Sequence, residues 1–389
     1  MKTLGGLAAV GLVMVAGLAR ADKKPAGALH VGVTTRVFHP TNLPRDWRGD
    51  PEKGLRCVVW YPAVESAVEV KQFVGTKDTA GASGAAGGSS GVEMAGAAAL
   101  FEAGMAAPGA AVAAPEKKGW PMVLLSHGTG GSAMQMAWLG TALARAGFIA
   151  VAVDHPGNSA NGKLTPEGVT LWWERATDLS QVLDGMLADA EFGKKIDPAR
   201  VGAAGFSLGG YTVLELAGAQ TDVHEFFAMC KENADAAVCH LPEMRGMGTP
   251  QEVLRAVRKS SAISLARSNE LYSDDRIDAV FAIAPAVAFT MTEDSLRSIR
   301  LPLQMAVGDA DRVAPAKDNA AYVRNEVRGA KLTLLPHVDH YTFLDTCTAE
   351  GKKKEERYCE DGKGVDRDEV HAKVAGMAVG FFEKALRGK

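Results

Sequence analysis

The sequence predicts an α/β fold of three layers, in which helices cover both faces of a mostly parallel sheet. From residue 120 onward, apolar strand-like runs alternate with segments of helical periodicity. The later strand candidates are continuously apolar, as a sheet buried on both faces requires. The 389 residues are 47% hydrophobic and can bury a sizeable core. The net charge of −3 gives no positive electrostatic field that would attract nucleic acid, so we expect no nucleic-acid partner.

The amino-terminal segment is predicted to be a secretory signal. A basic start precedes an apolar run over residues 4–18, which ends in the small-residue motif A-R-A at residues 19–21. This run is shorter than the ~20 residues that span a membrane. We therefore expect residues 1–21 to be removed, residues 22–389 to form one domain without a transmembrane segment, and the protein to be periplasmic or secreted.

The five cysteines fit that location. Cys230 and Cys239 are close in sequence, as are Cys347 and Cys359, whereas Cys57 lies in an apolar run. In an oxidising compartment we expect two local disulfides and one buried free thiol. Four cysteines permit three pairings, so the local pairing is a preference. A metal site is the alternative, but no C-x-x-C or paired-histidine spacing supports one, and we expect no metal.

Before residue 120 the elements are less regular. Residues 30–38 and 55–63 have strand character. Residues 75–118 are dominated by Ala, Gly and Ser, which is typical of a low-complexity surface insertion. Its centre, AGAAALFEAGM at residues 95–105, is a candidate for a short helix.

The remaining elements follow in alternation. Further strands are expected at residues 121–128, 148–156, 200–206, 277–286, 302–308 and 331–336. One intervening helix has a single apolar stripe, formed by Leu179, Val182, Leu183, Met186 and Leu187. A closing helix carries Val370, Val374, Met377 and Phe381 on one face.

Residues 220–275 interrupt the alternation. They contain the Cys230/Cys239 pair and a helix start at Thr249, where Glu252 completes a capping box. The segment falls at the carboxyl edge of the sheet, where open α/β folds bind ligands. We interpret it as a cap over a pocket; the alternative is a surface insertion without a role in binding.

The stretch GFSLGG places Ser207 between glycines, with a strand before it and a helix after it. This is the context of a nucleophile elbow, in which G-x-S-x-G holds a serine in a tight turn. A phosphate loop would need Lys followed by Ser or Thr, and a dinucleotide loop would need G-x-G-x-x-G. Neither is present, so Ser207 is the predicted nucleophile.

A serine nucleophile needs a base, and two histidines follow the last predicted strand. His340 is favoured because it lies a few residues past the strand and leads into a Tyr-Thr-Phe segment. His337 is interpreted as a solvated loop residue.

The acid is expected after the strand at residues 302–308. Asp311 has the G-x-x-D spacing from Gly308, whereas Asp309 is interpreted as a turn former. The chain order Ser, Asp, His is that of the elbow-containing hydrolases.

An oxyanion hole requires two backbone N–H groups. Leu208, directly after the nucleophile, supplies one candidate, and Thr129 in the motif SHGTGG supplies the other. His127 in the same motif is interpreted as a structural residue, as are Asp154 and His155. The sequence WWER at residues 172–175 could line a pocket, but a packed aromatic pair followed by an exposed ion pair is the favoured interpretation.

Several stretches together carry a family resemblance: VVWYPA at residues 58–63, LLSHGTGG at 124–131, AGFIAVAVDHPGNS at 146–159, GFSLGG, and HYTFLDTC at 340–347. In these the chain resembles α/β-hydrolases of the bacterial dienelactone-hydrolase-like group and the related platelet-activating-factor acetylhydrolases. The resemblance implies the α/β-hydrolase fold and a serine hydrolase that cleaves carboxylic esters through an acyl-enzyme, without metal or organic cofactor.

Two departures limit what the resemblance implies about substrate. Dienelactone hydrolases use a cysteine where this chain has Ser207, and the acetylhydrolases place their acid after the strand at residues 277–286, where this chain has Ala284-Pro285-Ala286. Acetyl hydrolysis of phospholipid-like esters, acyl-peptide cleavage and polyester cleavage all remain open. A binding protein without catalysis on the same scaffold is the alternative from another class.

Overall fold

The computed structural model describes residues 29–40, 53–74, 99–115 and 118–387. The predicted signal at residues 1–21 lies outside the described residues. No helix within these ranges is long and apolar enough to cross a bilayer.

A single twisted sheet organises the fold. Its strands are β1 His30–Phe38, β2 Leu55–Ala63, β3 Val70–Val74, β4 Phe101–Pro108, β5 Trp120–Ser126, β6 Ile149–Val153, β7 Ile196–Phe206, β8 Ile277–Ile283, β9 Leu303–Gly308, β10 Lys331–Leu335 and β11 Thr346–Cys347. The spatial order is β10-β9-β8-β7-β5-β6-β2-β1-β4-β11, and β3 pairs with β4. From β10 to β6 all neighbours are parallel, and β2 then pairs antiparallel with both β6 and β1.

Helices cover the sheet. In the described ranges they are α1 Ala137–Arg145, α2 Pro166–Thr170, α3 Glu174–Ala188, α4 Leu208–Leu216, α5 Val223–Glu232, α6 Pro250–Ser260, α7 Ala262–Ala266, α8 Glu293–Ser298, α9 Ala320–Glu326, α10 Ala349–Lys354, α11 Glu356–Cys359 and α12 Arg367–Arg387. Helix α1 contacts α12, and α3 contacts α4. Every residue of β5 and β6 is buried, which is why these strands are continuously apolar. The predicted α/β class is confirmed.

The closing helix α12 faces the sheet with a slightly different stripe from the predicted one. Val374 is buried as expected, but the other inward side chains include His371, Ala378 and Phe382 rather than Phe381. The reason is local: a Cβ on Gly202 of β7 would lie 2.5 Å from the Phe382 ring, so the bare glycine leaves the space that this ring occupies. The stripe is therefore rotated by about one residue.

Residues 95–98 of the candidate short helix lie outside the described residues, and from Phe101 onward the chain forms a strand instead of a helix. This strand, β4, lies in the sheet beside β1 and also pairs with β3. Ala103 and Ala106 of this strand are fully buried, and small side chains suit the close packing there. Gly104 has φ +125° and faces Thr141 of α1, where a Cβ would lie 3.0 Å from the Thr141 hydroxyl.

The predicted covalent pattern is confirmed. The structure contains Cys230–Cys239 and Cys347–Cys359 disulfides, and Cys57 is a buried free thiol. The capping box of Thr249 and Glu252 is present at the start of α6.

The integration of β4 into the sheet leads to a stability prediction. Ala103→Asp would bury a carboxylate in the core and should lower the free energy of unfolding by more than about 3 kcal/mol. Met105→Asp in the same strand, at a position 39% exposed, should change it by less than about 1 kcal/mol. Urea unfolding followed by circular dichroism measures both, and equal effects would contradict the placement of β4.

Candidate active site

Ser207 sits at the junction of β7 and α4 in a strained conformation, with φ 57° and ψ −120°. A non-glycine residue rarely adopts such a backbone, and surrounding structure must hold it there. The flanking glycines permit the turn: a Cβ on Gly205 would lie 2.1 Å from the Gly209 carbonyl oxygen, and one on Gly209 would lie 1.9 Å from the Ser126 carbonyl oxygen. The turn has the geometry of a nucleophile elbow.

His340 lies directly beside this serine. Its Nε2 is 2.9 Å from the Ser207 Oγ, and its side chain is almost completely buried. The residue begins a 3-10 turn after β10, and the Phe206 ring packs against the imidazole with centroids 5.0 Å apart. His337 is exposed at φ 60° and is not part of this arrangement.

Asp311 completes a chain of three polar groups. Its Oδ2 lies 2.7 Å from the His340 Nδ1, while its Oδ1 accepts hydrogen bonds from the N–H groups of Val313 and Ala314. Asp309 instead accepts a hydrogen bond from the His337 N–H at the surface. The carboxylate thus fixes the imidazole with Nε2 directed at the serine, which is the arrangement that activates a hydroxyl.

One contact that the sequence did not identify brings the acid and base loops together. A Cβ on Gly308, at the end of β9, would lie 1.9 Å from the Val338 carbonyl oxygen. The loops after β9 and β10 therefore cross with their backbones in contact. Any side chain at residue 308 would push His340 away from Asp311.

The two candidate oxyanion donors, Thr129 and Leu208, border the same space as Ser207. Their N–H groups donate no hydrogen bond within the described part of the chain, whereas those of the neighbouring glycines do. The Gly128 N–H binds the Gln135 side chain at 3.0 Å, and the Gly130 N–H binds Asn158 at 2.7 Å. Two free donors remain beside the serine, as an oxyanion hole requires.

A second serine, histidine and aspartate form a similar chain deeper in the protein. Ser126 Oγ lies 2.9 Å from His155 Nε2, and His155 Nδ1 lies 2.8 Å from Asp178 Oδ2. All three residues are at most 1% exposed, and none lines either cavity at the Ser207 site. Arg175 also donates to the Ser126 hydroxyl and to the His127 carbonyl. A substrate cannot reach this serine, so we assign a structural role to Ser126, His155 and Asp178: they hold the end of β5 in place.

His127 belongs to the same buried network, as the sequence indicated. Its Nδ1 lies 2.6 Å from the Gly128 carbonyl oxygen, and its Nε2 accepts from the His155 N–H. These contacts fit one neutral tautomer. Burial, followed by the charge of Arg175, lowers the pKa of His127 to about 3.

Two cavities meet at Ser207. The first has a volume of about 30 Å³ and a lining without charged residues, in which Phe226, Val238 and Met244 of the 220–275 segment face Trp172. The WWER sequence is therefore not what was expected: Trp172 does line a pocket, and Glu174 and Arg175 are buried rather than exposed. Arg175 is buried because α3 packs on α4, where it donates to the Thr212 hydroxyl. Glu174 instead accepts a hydrogen bond from the Ser264 hydroxyl of α7.

The second cavity is a groove of about 980 Å³ that also contains His340. Its walls carry side chains from the loop at residues 128–132, from the 3-10 turn Pro242–Met244 and from the segment around Tyr358. No cluster of three or more potential metal ligands occurs in the residues that the structure describes.

The low pKa of His127 predicts a pH-dependent stability. The unfolded chain binds a proton at this imidazole below about pH 6.5, whereas the folded protein does not until about pH 3. Unfolding therefore takes up a proton between these values, and the free energy of unfolding falls as the pH is lowered. His127→Gln should reduce that slope by up to about 1.4 kcal/mol per pH unit in urea titrations between pH 6 and 4. His224→Gln, at an exposed position, is the control; equal slopes in wild type and His127→Gln would refute the assignment.

Comparisons with known proteins show which family this chain matches. The family described as Hydrolase_4, serine aminopeptidase, S33, matches residues 118–347, and platelet-activating factor acetylhydrolase, isoform II, matches residues 24–165. Lipase 1 of Moraxella sp. (strain TA144) is 38% identical over 80 residues, which are 21% of this chain and 22% of the lipase. Cutinase est1 of Thermobifida alba is 32% identical over 110 residues, which are 28% of this chain and 34% of the cutinase. The chain thus matches only about a fifth to a third of these relatives' length.

A ferulic acid esterase from Streptomyces cinnamoneus has the same fold, with a TM-score of 0.59 at 20% identity over 94% of this chain and 92% of that one. The predicted resemblance is confirmed for the α/β-hydrolase class and its acetylhydrolase-like members. The elbow, the sheet order and the family match over more than half of the residues lead to one conclusion: this chain belongs to the Hydrolase_4 family of α/β-hydrolases.

Proposed function

We propose that this chain is an exported hydrolase of carboxylic esters that works through an acyl-enzyme on Ser207. The observation that carries the proposal is the 2.9 Å approach of His340 Nε2 to Ser207 Oγ in a strained turn. Ser207 Oγ attacks the ester carbonyl carbon while His340 takes its proton, and the Thr129 and Leu208 N–H groups bind the oxyanion. His340 then protonates the leaving alkoxide. Water next attacks the acyl-enzyme, His340 accepts its proton, and Ser207 is regenerated with release of the acid.

The two cavities divide the substrate between them. The leaving oxygen must come within reach of His340, which lines the groove but not the apolar cavity. The alcohol part of the ester therefore lies in the groove, and the acyl part enters the apolar cavity. A cavity of about 30 Å³ holds only about two water-sized groups. The expected acyl group is consequently short, such as acetyl or propionyl.

The same division favours esters over aminopeptidase substrates, although the matched family is described as serine aminopeptidase. An aminopeptidase substrate carries an ammonium group on its acyl part, and that charge needs a carboxylate partner when it is buried. None of the residues lining the acyl cavity in the described structure is acidic. The neutral lining matches an uncharged acyl group.

Export is supported by the two disulfides together with the leader-like sequence at residues 1–21. Disulfides persist in oxidising compartments and are rare in a reducing cytosol. We accordingly place the protein in the periplasm or outside the cell.

The catalytic assignment predicts how a fluorophosphonate probe labels the protein. Wild type should be labelled and Ser207→Ala should not, because the probe reacts only with an activated, accessible serine. Ser126→Ala, in the buried Ser126-His155-Asp178 group, is the matched control and should retain labelling. Absence of label on wild type, or its loss only in Ser126→Ala, would overturn the proposal.

The acid is tested by a second matched pair. Asp311→Asn should lower kcat for p-nitrophenyl acetate by roughly 10³- to 10⁴-fold, because the imidazole loses its correct tautomer. Asp309→Asn should stay within about threefold of wild type, since the Asp309 carboxylate accepts a hydrogen bond from the His337 N–H at the surface. The reverse pattern would assign the acid to Asp309.

The narrow acyl cavity predicts chain-length selectivity. Wild type should hydrolyse p-nitrophenyl acetate with a higher kcat/KM than p-nitrophenyl octanoate. Trp172→Ala should raise the octanoate-to-acetate ratio of kcat/KM at least about 10-fold, because it removes the largest ring in the cavity wall. Trp138→Ala, at a ring stacked on His371 outside the cavity, should leave this ratio unchanged. An unchanged ratio in Trp172→Ala would place the acyl group elsewhere.

A further inference from the structure

The groove beside His340 contains polar atoms that lack partners. The Glu243 Oε2, the Tyr341 hydroxyl and the Asp345 Oδ1 are fully buried atoms without a hydrogen-bond partner among the residues described. All three residues line the groove together with Ser207 and His340. Buried polar groups normally have hydrogen-bond partners, because an unpaired one destabilises the folded protein. Several unpaired polar atoms beside one serine indicate a ligand that supplies their missing hydrogen-bond partners.

Glu243 and Tyr341 are held in the groove by different parts of the chain. Glu243 lies in a 3-10 turn of the 220–275 segment, and a Cβ on Gly130 in the oxyanion loop would lie 2.9 Å from the Glu243 Cβ. Tyr341 follows His340 directly, with the two rings edge to face and their centroids 5.6 Å apart. Tyr358 packs edge-on against Tyr341 with ring centroids 5.0 Å apart. Burial, followed by the charge of the Glu243 carboxylate, raises the pKa of the Tyr358 hydroxyl.

The groove does not have one sign of charge. Arg245, Lys354 and Arg357 line it together with Glu355 and Glu356. Burial raises the pKa of the Glu243 carboxyl above its usual value. A wall of mixed charge with buried, unpaired hydrogen-bonding atoms suits a neutral, hydroxylated ligand better than an ion.

We propose that Glu243, Tyr341 and Tyr358 form a subsite for a hydroxylated leaving alcohol, such as a glycerol or sugar unit. This inference rests on the proposed function, since it is the His340 side of Ser207 that receives the alcohol. The Tyr341 hydroxyl binds one substrate hydroxyl, and the free Oε2 of Glu243 binds a second. The natural substrate is then a short-chain acyl ester of a polyhydroxylated alcohol.

The test compares two acetate esters with the same carbon skeleton. Glycerol 1-acetate carries two hydroxyls that propyl acetate lacks, and acetate release in a pH-stat gives kcat/KM for each. Wild type should prefer glycerol 1-acetate by at least about 10-fold, as expected for hydrogen bonds to buried groups. Tyr341→Phe and Glu243→Ala should each lower that preference several-fold, whereas Glu243→Gln, which keeps a donor and an acceptor, should retain most of it.

Matched controls are Tyr322→Phe, whose hydroxyl binds the Met291 carbonyl away from the site, and Glu270→Gln, an exposed pair with Arg267. Both should keep the wild-type preference. Equal rates for the two esters in wild type, or a preference that survives Tyr341→Phe and Glu243→Ala, would overturn the subsite.

Acetylcholine, an acetate ester of a cationic alcohol, tests whether the subsite binds a cation instead. If wild type prefers it to glycerol 1-acetate and Glu243→Gln loses that preference, the ligand is a cation and the inference is wrong. The outcome is distinct from failure of the proposed function. If the proposed function is wrong, wild type will cleave none of the esters and will not react with the fluorophosphonate, and the subsite inference will fail as well.

Discussion

The site depends on one close backbone crossing, between the turn at Ser207 and the end of β5. Gly209 lies against the Ser126 carbonyl so closely that no side chain fits. The strained turn costs about 1–3 kcal/mol, and hydrogen bonds from β8 and its following loop offset it. The Ser207 N–H donates to the Ile283 carbonyl at 2.9 Å, and the Ser207 carbonyl accepts from the Ala286 N–H at 3.1 Å. The crossing also places the serine beside the loop that carries Thr129.

The sheet was predictable from sequence wherever a strand is buried on both faces, because burial there enforces a continuous apolar run. Strands β1 and β2 have the predicted bounds. Strand β4 was not predictable, since its Ala- and Gly-rich sequence has little intrinsic β propensity. Its conformation is imposed by pairing with β1 and β3 and by the narrow space beside α1, which only small side chains fill.

The residues around Ser207 likewise fall into those that sequence could predict and those that it could not. Ser207, Asp311 and His340 were identifiable because each follows a strand, and parallel strands bring their carboxyl ends to one edge. Glu243 was missed because its position depends on how a long insertion folds back onto Gly130. Arg175 was misjudged as exposed because its partners, Ser126 and Thr212, are distant in sequence. A charged residue beside two tryptophans was the available signal that this part of the chain is buried.

The two disulfides explain how irregular segments hold a defined site. Glu243 lies four residues after Cys239, and Tyr358 directly precedes Cys359. Each bridge closes a short loop, with separations of 9 and 12 residues, and restricts the conformations open to that segment. Cys239 also lines the apolar cavity at Ser207. Disulfides therefore fix segments that line both cavities at Ser207, so the arrangement of the site depends on bonds that persist under oxidising conditions.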